Sequence, residues 1–190
     1  MPANDLREMI AWMKANPNKA SAGIGGAVAR LLTTFFQKET KTQFTLVPYR
    51  GVAPLIQDLV AGEIDFSFST QDQLPLTRVG SIKAYAVTSD KRLAVASDIP
   101  TFAEMGLSTL SFSSWFGLFA PKGTPKDTIK KLNGAAVEAM ADPAVRTRLG
   151  DLGYEIFPPE QQTPEALGAL VKADAEKWWP IIKEFGIKAE

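Results

Sequence analysis

Leu6, Met9, Ile10 and Met13 recur at three- and four-residue steps, the spacing of one helical face. Asn4 or Asp5 can cap that helix, and Asn16-Pro17-Asn18 stops it. The pattern then changes at Lys19–Phe36, KASAGIGGAVARLLTTFF, which reads as a short strand, a glycine turn and a helix. In that helix Val28, Leu31, Leu32, Phe35 and Phe36 share one broad core-like face. Residues 43–47, QFTLV, read as a strand, and Pro48-Tyr49-Arg50-Gly51 as a turn. A helix over 53–61 follows, with Leu55, Ile56, Leu59 and Val60 inward and Gly62 as its stop. Residues 64–69, IDFSFS, alternate apolar and polar positions and predict a strand. Thr70-Gln71-Asp72 leaves it into a short helix ending near Gly80, and residues 83–88, KAYAVT, predict another strand. Repeated strand–helix alternation of this kind points to an α/β fold with a largely parallel sheet.

The remainder is helix-rich. Thr101 can cap a single helical turn, FAEMG, and residues 110–119 read as extended. Pro121-Lys122-Gly123-Thr124-Pro125 is the sharpest punctuation in the chain and the best boundary. Thr124 as cap and Pro125 in the first helical position start a helix whose inward face is Ile129, Leu132, Ala136, Val137 and Met140. Asp142-Pro143 opens a shorter helix to Leu149, residues 154–157 suggest a short strand, and Thr163-Pro164 opens a last helix kinked at Pro180. This second part is poor in residues that would cover a sheet of its own.

Composition changes this picture mainly by exclusion. With 21 basic and 21 acidic residues in 190, the formal net charge is zero, and no nucleic-acid partner is indicated. There is no Cys, which removes thiol nucleophiles and thiolate metal sites, and no His, which removes His-based triads and most zinc sites. No catalytic residues, cofactor or metal site are assigned, and an enzyme is not expected. The start, MPANDLREMIAW, lacks the apolar run of a signal peptide, and no stretch is long and apolar enough for a transmembrane helix.

One stretch carries candidate chemistry. Gly23, Gly25 and Gly26 remove side chains where the chain turns, and glycine accepts positive φ and close approach by a ligand. The following helix begins with free N–H groups at the positive end of its dipole, a seat for a carboxylate or a phosphate. A plain tight connection is the alternative. A nucleotide enzyme finds no support beyond this turn, because neither G-x-x-x-x-G-K-[ST] nor G-x-G-x-x-G occurs.

Several phrases stand in one order: SAGIGG, VPYRGVAPLIQDLVAGEIDFSF, AVTSDKR, IPTFAEMGL, WFGLFAPKGTP and WWPIIKEFGIKAE. Together they make the chain resemble the Bug family, the extracytoplasmic substrate-binding proteins of tripartite tricarboxylate transporters. The resemblance implies a periplasmic-binding-protein-like α/β architecture of two lobes, with one lobe lacking its N-terminal segment. Residues 1–112 would form the second ligand-binding lobe, and residues 113–190 the crossover and the mostly helical C-terminal part of the first. It further implies a solute-binding protein, or a truncated remnant of one, that captures a small carboxylate for the membrane components of a tripartite transporter. It implies a periplasmic location as well, although no signal peptide is read in this chain. The alternative is a non-binding assembly protein that forms a homodimer through the incomplete lobe.

In the family, the turn matching Ser21, Gly23, Ile24, Gly25, Gly26 and the helix start at Ala27 holds a ligand carboxylate through backbone N–H groups. Members often carry hydroxyl residues and a His just after the turn, where this chain has Ala27, Val28, Ala29 and Arg30. Only the backbone contacts are therefore implied. Tyr49 either packs on the ligand or fills the strand–helix junction. Arg50, beside Gly51, either adds charge to an anion site or is solvated. Ser69, Thr70 and Gln71 lie beyond a strand's C-terminal end, where open α/β sheets bind ligands, or act as an ordinary helix cap. Trp115 would line the cleft. Asp58, Glu63 and Asp65 read as solvated carboxylates at helix ends.

Overall fold

The computed structural model describes residues 2–186. These divide into two compact units, one running to Ser113 and resuming at Ile182, the other spanning Ser114–Ile181.

The first unit opens with α1 (Leu6–Ala15), capped by the Asp5 carboxylate, which accepts from the Glu8 N–H at 2.8 Å. Leu6, Met9 and Met13 are its buried face. Then come β1 (Ser21–Ile24), α2 (Ala27–Thr40), β2 (Thr45–Pro48), α3 (Val52–Ala61) and β3 (Phe66–Ser67). The three strands form one parallel sheet in the order β2-β1-β3, with Ile24 opposite Pro48 and Gly23 opposite Ser67. The α/β expectation is met by this sheet. The chain moves from β1 to β2 on one side and returns past β1 to β3 on the other. Right-handed crossovers in opposite directions place α2 and α3 on opposite faces of the sheet.

Phe36 of α2 is the centre of the core on its side. It is fully buried, with ring centroids of Phe44, Phe66, Phe68 and Phe102 at 5.8–6.2 Å. On the α3 side, Leu55 and Ile64 close directly over β1. A Cβ on Gly23 would lie 2.5 Å from Ile64 Cδ1 and 3.0 Å from Leu55 Cγ, so only glycine lets α3 approach this closely.

Three expectations fail here. The strand over residues 64–69 shrinks to Phe66–Ser67, because β1 offers only four residues before turning away. The strand over residues 83–88 reduces to a single parallel bridge, Val87 with Thr101. Its partner segment starts at Pro100, which has no N–H to donate, and folds at once into the Thr101–Glu104 turn. Val28 and Val60, assigned to inward faces, are 51% and 46% exposed. Two familiar phrases are tied together in this region. Arg92 Nε donates to both Glu104 carboxylate oxygens at 3.0 Å, while Glu104 and Thr101 form a reciprocal capping box.

After two short helices, 71–73 (3-10) and α4 (Leu74–Arg78), the first unit continues in irregular chain. The second unit contains α5 (Lys126–Ala141), α6 (Pro143–Asp151) and α7 (Pro164–Glu184) up to Ile181. The α5 cap falls one residue later than expected, on Pro125, because the Thr124 hydroxyl donates instead to the Pro121 carbonyl at 2.8 Å. α7 continues through Pro180. Residues 154–157 form no strand, since no described segment pairs with them, and Tyr154 packs its ring edge-on against Phe116 at 5.6 Å. Trp178 is the only buried large hydrophobic side chain among the described residues of this unit, and α5 buries none.

Candidate functional site at the carboxyl edge of the sheet

Because all three strands are parallel, their C-terminal ends share one edge. That edge gathers three loops: Gly25-Gly26 after β1, Tyr49-Arg50-Gly51 after β2, and Phe68-Ser69-Thr70 after β3. The order β2-β1-β3 makes the gap between β1 and β3 the topological switch point, where connections leave in opposite directions and open a crevice.

Two helices begin there. α2 starts after Gly26 and α3 after Gly51; neither has a side-chain cap or an acid in its first turn. The first intrahelical bond of α2 runs from the Arg30 N–H to the Gly26 carbonyl at 3.0 Å, so the amides before Arg30 have no intrahelical acceptor. Gly26, Ala27 and Val28 are exposed. α3 contributes the Val52 and Ala53 amides, Pro54 having none. The site therefore presents two positive dipole ends with oriented N–H donors and no carboxylate in either first turn.

The glycines act differently from one another and from expectation. None of Gly23, Gly25 and Gly26 lies at left-handed φ. Gly23 is needed for packing, whereas Gly51, at φ 100° and ψ 178°, holds a conformation almost exclusive to glycine.

Tyr49 resolves toward the strand–helix junction. Its N–H donates to the Ile24 carbonyl at 2.8 Å, extending the β1–β2 ladder, and its hydroxyl donates to Asp58 Oδ2 at 2.7 Å. That hydrogen bond to a carboxylate, with desolvation second, pushes the phenol up to about 12. Arg50 is exposed at the edge. Ser69 and Thr70 are exposed there, Ser69 Oγ lies 3.2 Å from Ser67 Oγ, and Thr70 hydrogen-bonds Asp72 beside Gln71.

Ser21 is not brought to this edge. It begins β1, about 10 Å from the carboxyl end at ~3.3 Å per residue. Its N–H and hydroxyl both donate to Asp65 Oδ2, at 2.8 and 3.1 Å. Ile24 is buried. Trp115 belongs to the second unit, where its indole N–H donates to Asp174 at 2.5 Å. Sequence reasoning missed Val28, placed in the core by its helical spacing, and Asp58, taken for a solvated acid. No cluster of acids able to hold a metal ion occurs among the described residues.

A parallel α/β sheet with two open helix N-termini along its carboxyl edge is the architecture of periplasmic-binding-protein-like folds. Residues 1–187 match the family described as the tripartite tricarboxylate transporter family receptor, and the chain belongs to that family. A UPF0065 protein of Agrobacterium vitis is 35% identical over 182 residues, covering 94% of this chain and 53% of that protein. BugT of Bordetella pertussis is 30% identical over 188 residues, 97% of this chain and 57% of BugT. MatC of Rhodopseudomonas palustris, solved with bound malate, superposes with a TM-score of 0.87 at 33% identity, over 95% of this chain and 63% of MatC. The periplasmic binding protein BugD superposes with a TM-score of 0.89 at 32% identity, over 100% of this chain and 64% of BugD. An R. palustris protein solved with adipate gives 0.88 at 27%, over 100% and 64%. The chain thus spans between half and two thirds of the length of these relatives. The family is one of transport receptors and not of enzymes. No described helix is long and apolar enough to cross a membrane.

Proposed function

We propose that this chain is a solute-binding protein that captures a small carboxylate for the membrane components of a tripartite tricarboxylate-type transporter, in the periplasm and without catalysis. The observation that carries this reading is the pair of uncapped, acid-free helix N-termini on one sheet edge. A carboxylate placed there accepts from backbone amides already oriented and compensates both dipole ends. Gly25, Gly26 and Ala27 supply the close-approach backbone on the α2 side, and Gly51 leads into the donors on the α3 side. Arg50 supplies the full positive charge in a fork that matches a carboxylate. Ser69, Thr70 and Gln71 offer the neutral groups that select the remainder of the ligand, because each polar group buried on binding must find a partner. Gly23 and Ile24 support the site from within the sheet. Malate and adipate, held by two of the structural relatives, set the ligand class to try first.

Thermal unfolding with malate, adipate and citrate tests the proposal. A ligand at one hundred times its Kd stabilises by about 2.7 kcal/mol, a rise of about 5–10 °C for a chain of this size. A cooperative unfolding transition that none of the three acids moves would sink it.

A second reading is favoured by one observation in the second unit. Residues 114–121 belong to no helix or strand, and Phe116, Leu118 and Phe119 are 74%, 67% and 65% exposed. An exposed apolar segment outside any helix or strand is a template for pairing with another chain. A second copy of this chain is the proposed occupant, giving an assembly role through a homodimer. Light scattering decides: a dimer that Phe116→Ser and Phe119→Ser dissociate supports it, and a monomer at all concentrations rejects it.

A further inference from the structure

We propose that Asp58 is a positioning residue, holding Tyr49 as a strap that fixes the start of α3 in its ligand-facing orientation. The inference rests on the carboxylate reading of that edge and adds to it the device that aims one of the two helix ends.

α3 has an unusual start. Its cap residue is a glycine with no side chain to offer, and its second amide position is followed by a proline. Leu55 seats the first turn on β1, but no side-chain cap fixes the direction of the amides that precede it. Tyr49 supplies the constraint from outside the helix. Its backbone is anchored to β1 through the Ile24 carbonyl, and its side chain reaches along α3 to Asp58. Asp58 lies six residues beyond the first helical position, about 9 Å along the axis. The strap therefore spans from the sheet edge to the last turn of the helix, with Arg50 and Gly51 held between its two attachments.

The location of Asp58 argues the same way. A carboxylate in the last turn sits at the negative end of the helix dipole, and α3 carries no basic residue there to offset it. An acid at such a position is intrinsically unfavourable on a helix. Its service as the acceptor for the Tyr49 hydroxyl accounts for it. The opposing groups are also accounted for: Glu63, the other charge acting on the phenol, is of the same sign and does not compete as a donor.

The test uses Tyr49→Phe, which removes only the hydroxyl, together with Asp58→Ala and Asp58→Asn, the last retaining an acceptor. Amide exchange in the ligand-free protein is read at Ile56 and Gln57, whose N–H groups bond the Val52 and Ala53 carbonyls in helical register, with the α1 amides as internal control. Tyr49→Phe and Asp58→Ala should each speed exchange at Ile56 and Gln57 by about tenfold, the size expected for one charge-assisted hydrogen bond. The double variant should add nothing further, and Asp58→Asn should restore part of the protection. Malate affinity, read by calorimetry, should fall by a similar factor, while the unfolding midpoint moves little. Unchanged exchange at Ile56 and Gln57 in Tyr49→Phe overturns the inference, as does unchanged malate affinity alongside a wild-type protein that binds. If the wild-type chain binds no carboxylate, the functional reading is what fails, and exchange still decides whether the strap holds the helix start.

Discussion

α1 and α2 belong to the same unit, and they begin in opposite ways. α1 is closed off: Asp5 accepts from the Glu8 N–H, and Glu8 places its own charge in the first turn and accepts from the Asn4 N–H. α2 and α3 are left open, on glycines, with no cap and no acid. An N-cap is worth about 1 kcal/mol, so leaving two helices without one forgoes stability that α1 and α6 both keep. The open ends also lie on the one edge where a parallel sheet of this order forms a crevice. Capping side chains would occupy the donors that a bound anion needs. The contrast teaches that α1 completes its first turn with its own side chains, whereas α2 and α3 leave theirs open along the sheet edge.

The largest effect that sharpens the comparison separates the two open ends from each other. Gly51→Ala should cost about 1–3 kcal/mol in denaturant unfolding, because only glycine tolerates its dihedral angles. Gly26→Ala should stay within about 0.5 kcal/mol, since Gly26 is extended at φ 164° and an added Cβ meets nothing within 4 Å. Equal costs would show that the two turns are held by something other than backbone conformation.

Next comes the closed end. Asp5→Ala should lose about 1 kcal/mol and leave carboxylate binding untouched, by chemical denaturation and calorimetry respectively.

Closing an open end should do the reverse. Val28→Glu puts an acid into the exposed first turn of α2 and should gain about 0.3–1 kcal/mol. The same carboxylate should lower malate affinity by about tenfold or more, by occupying or repelling what the seat holds. A variant that is more stable and binds as before would mean that α2 does not receive the anion.

The smallest effect is a pH dependence. Tyr49 is pushed up to about 12 when folded, against an ordinary value near 10, because its hydroxyl donates to the Asp58 carboxylate, which favours the protonated phenol. Folding therefore favours the protonated phenol. That contribution is fully present below pH ~10 and is lost as pH rises toward 12. Phenolate absorbance should show Tyr49 ionising late and returning toward 10 in Asp58→Ala, while Tyr85, raised by burial, does not move. Tyrosine titration left unchanged by Asp58→Ala would remove the strap.

Much of this was legible in the chain because the rules that decide it are local. Helical spacing places α1 and α3 within about a residue and α2 by its apolar face, Asn4-Asp5 and Asp142-Pro143 mark the starts of α1 and α6, and SAGIGG marks the strand–turn–helix unit. The absence of His and Cys narrowed the chemistry before any fold was known. Order along the chain even indicated a parallel sheet, since strands that alternate with helices rarely pair otherwise. What the tertiary structure alone decided depends on partners distant in sequence. Residues 83–88 have strand character but no strand to pair with, because the segment beside them starts with Pro100 and turns at Thr101. Ser21 sits in the glycine phrase yet belongs to the far end of β1, bound to Asp65, since four residues of strand separate it from the crevice. Val28 keeps helical register with Leu31 and Phe35 but lies one turn beyond the core they share. Tyr49 and Asp58 gave no joint signal, being nine residues apart with a turn and most of a helix between them. Periodicity states which way a side chain points from its own element. Which neighbour it meets, and whether that neighbour is water, is settled only when the sheet closes against α2 on one face and α3 on the other.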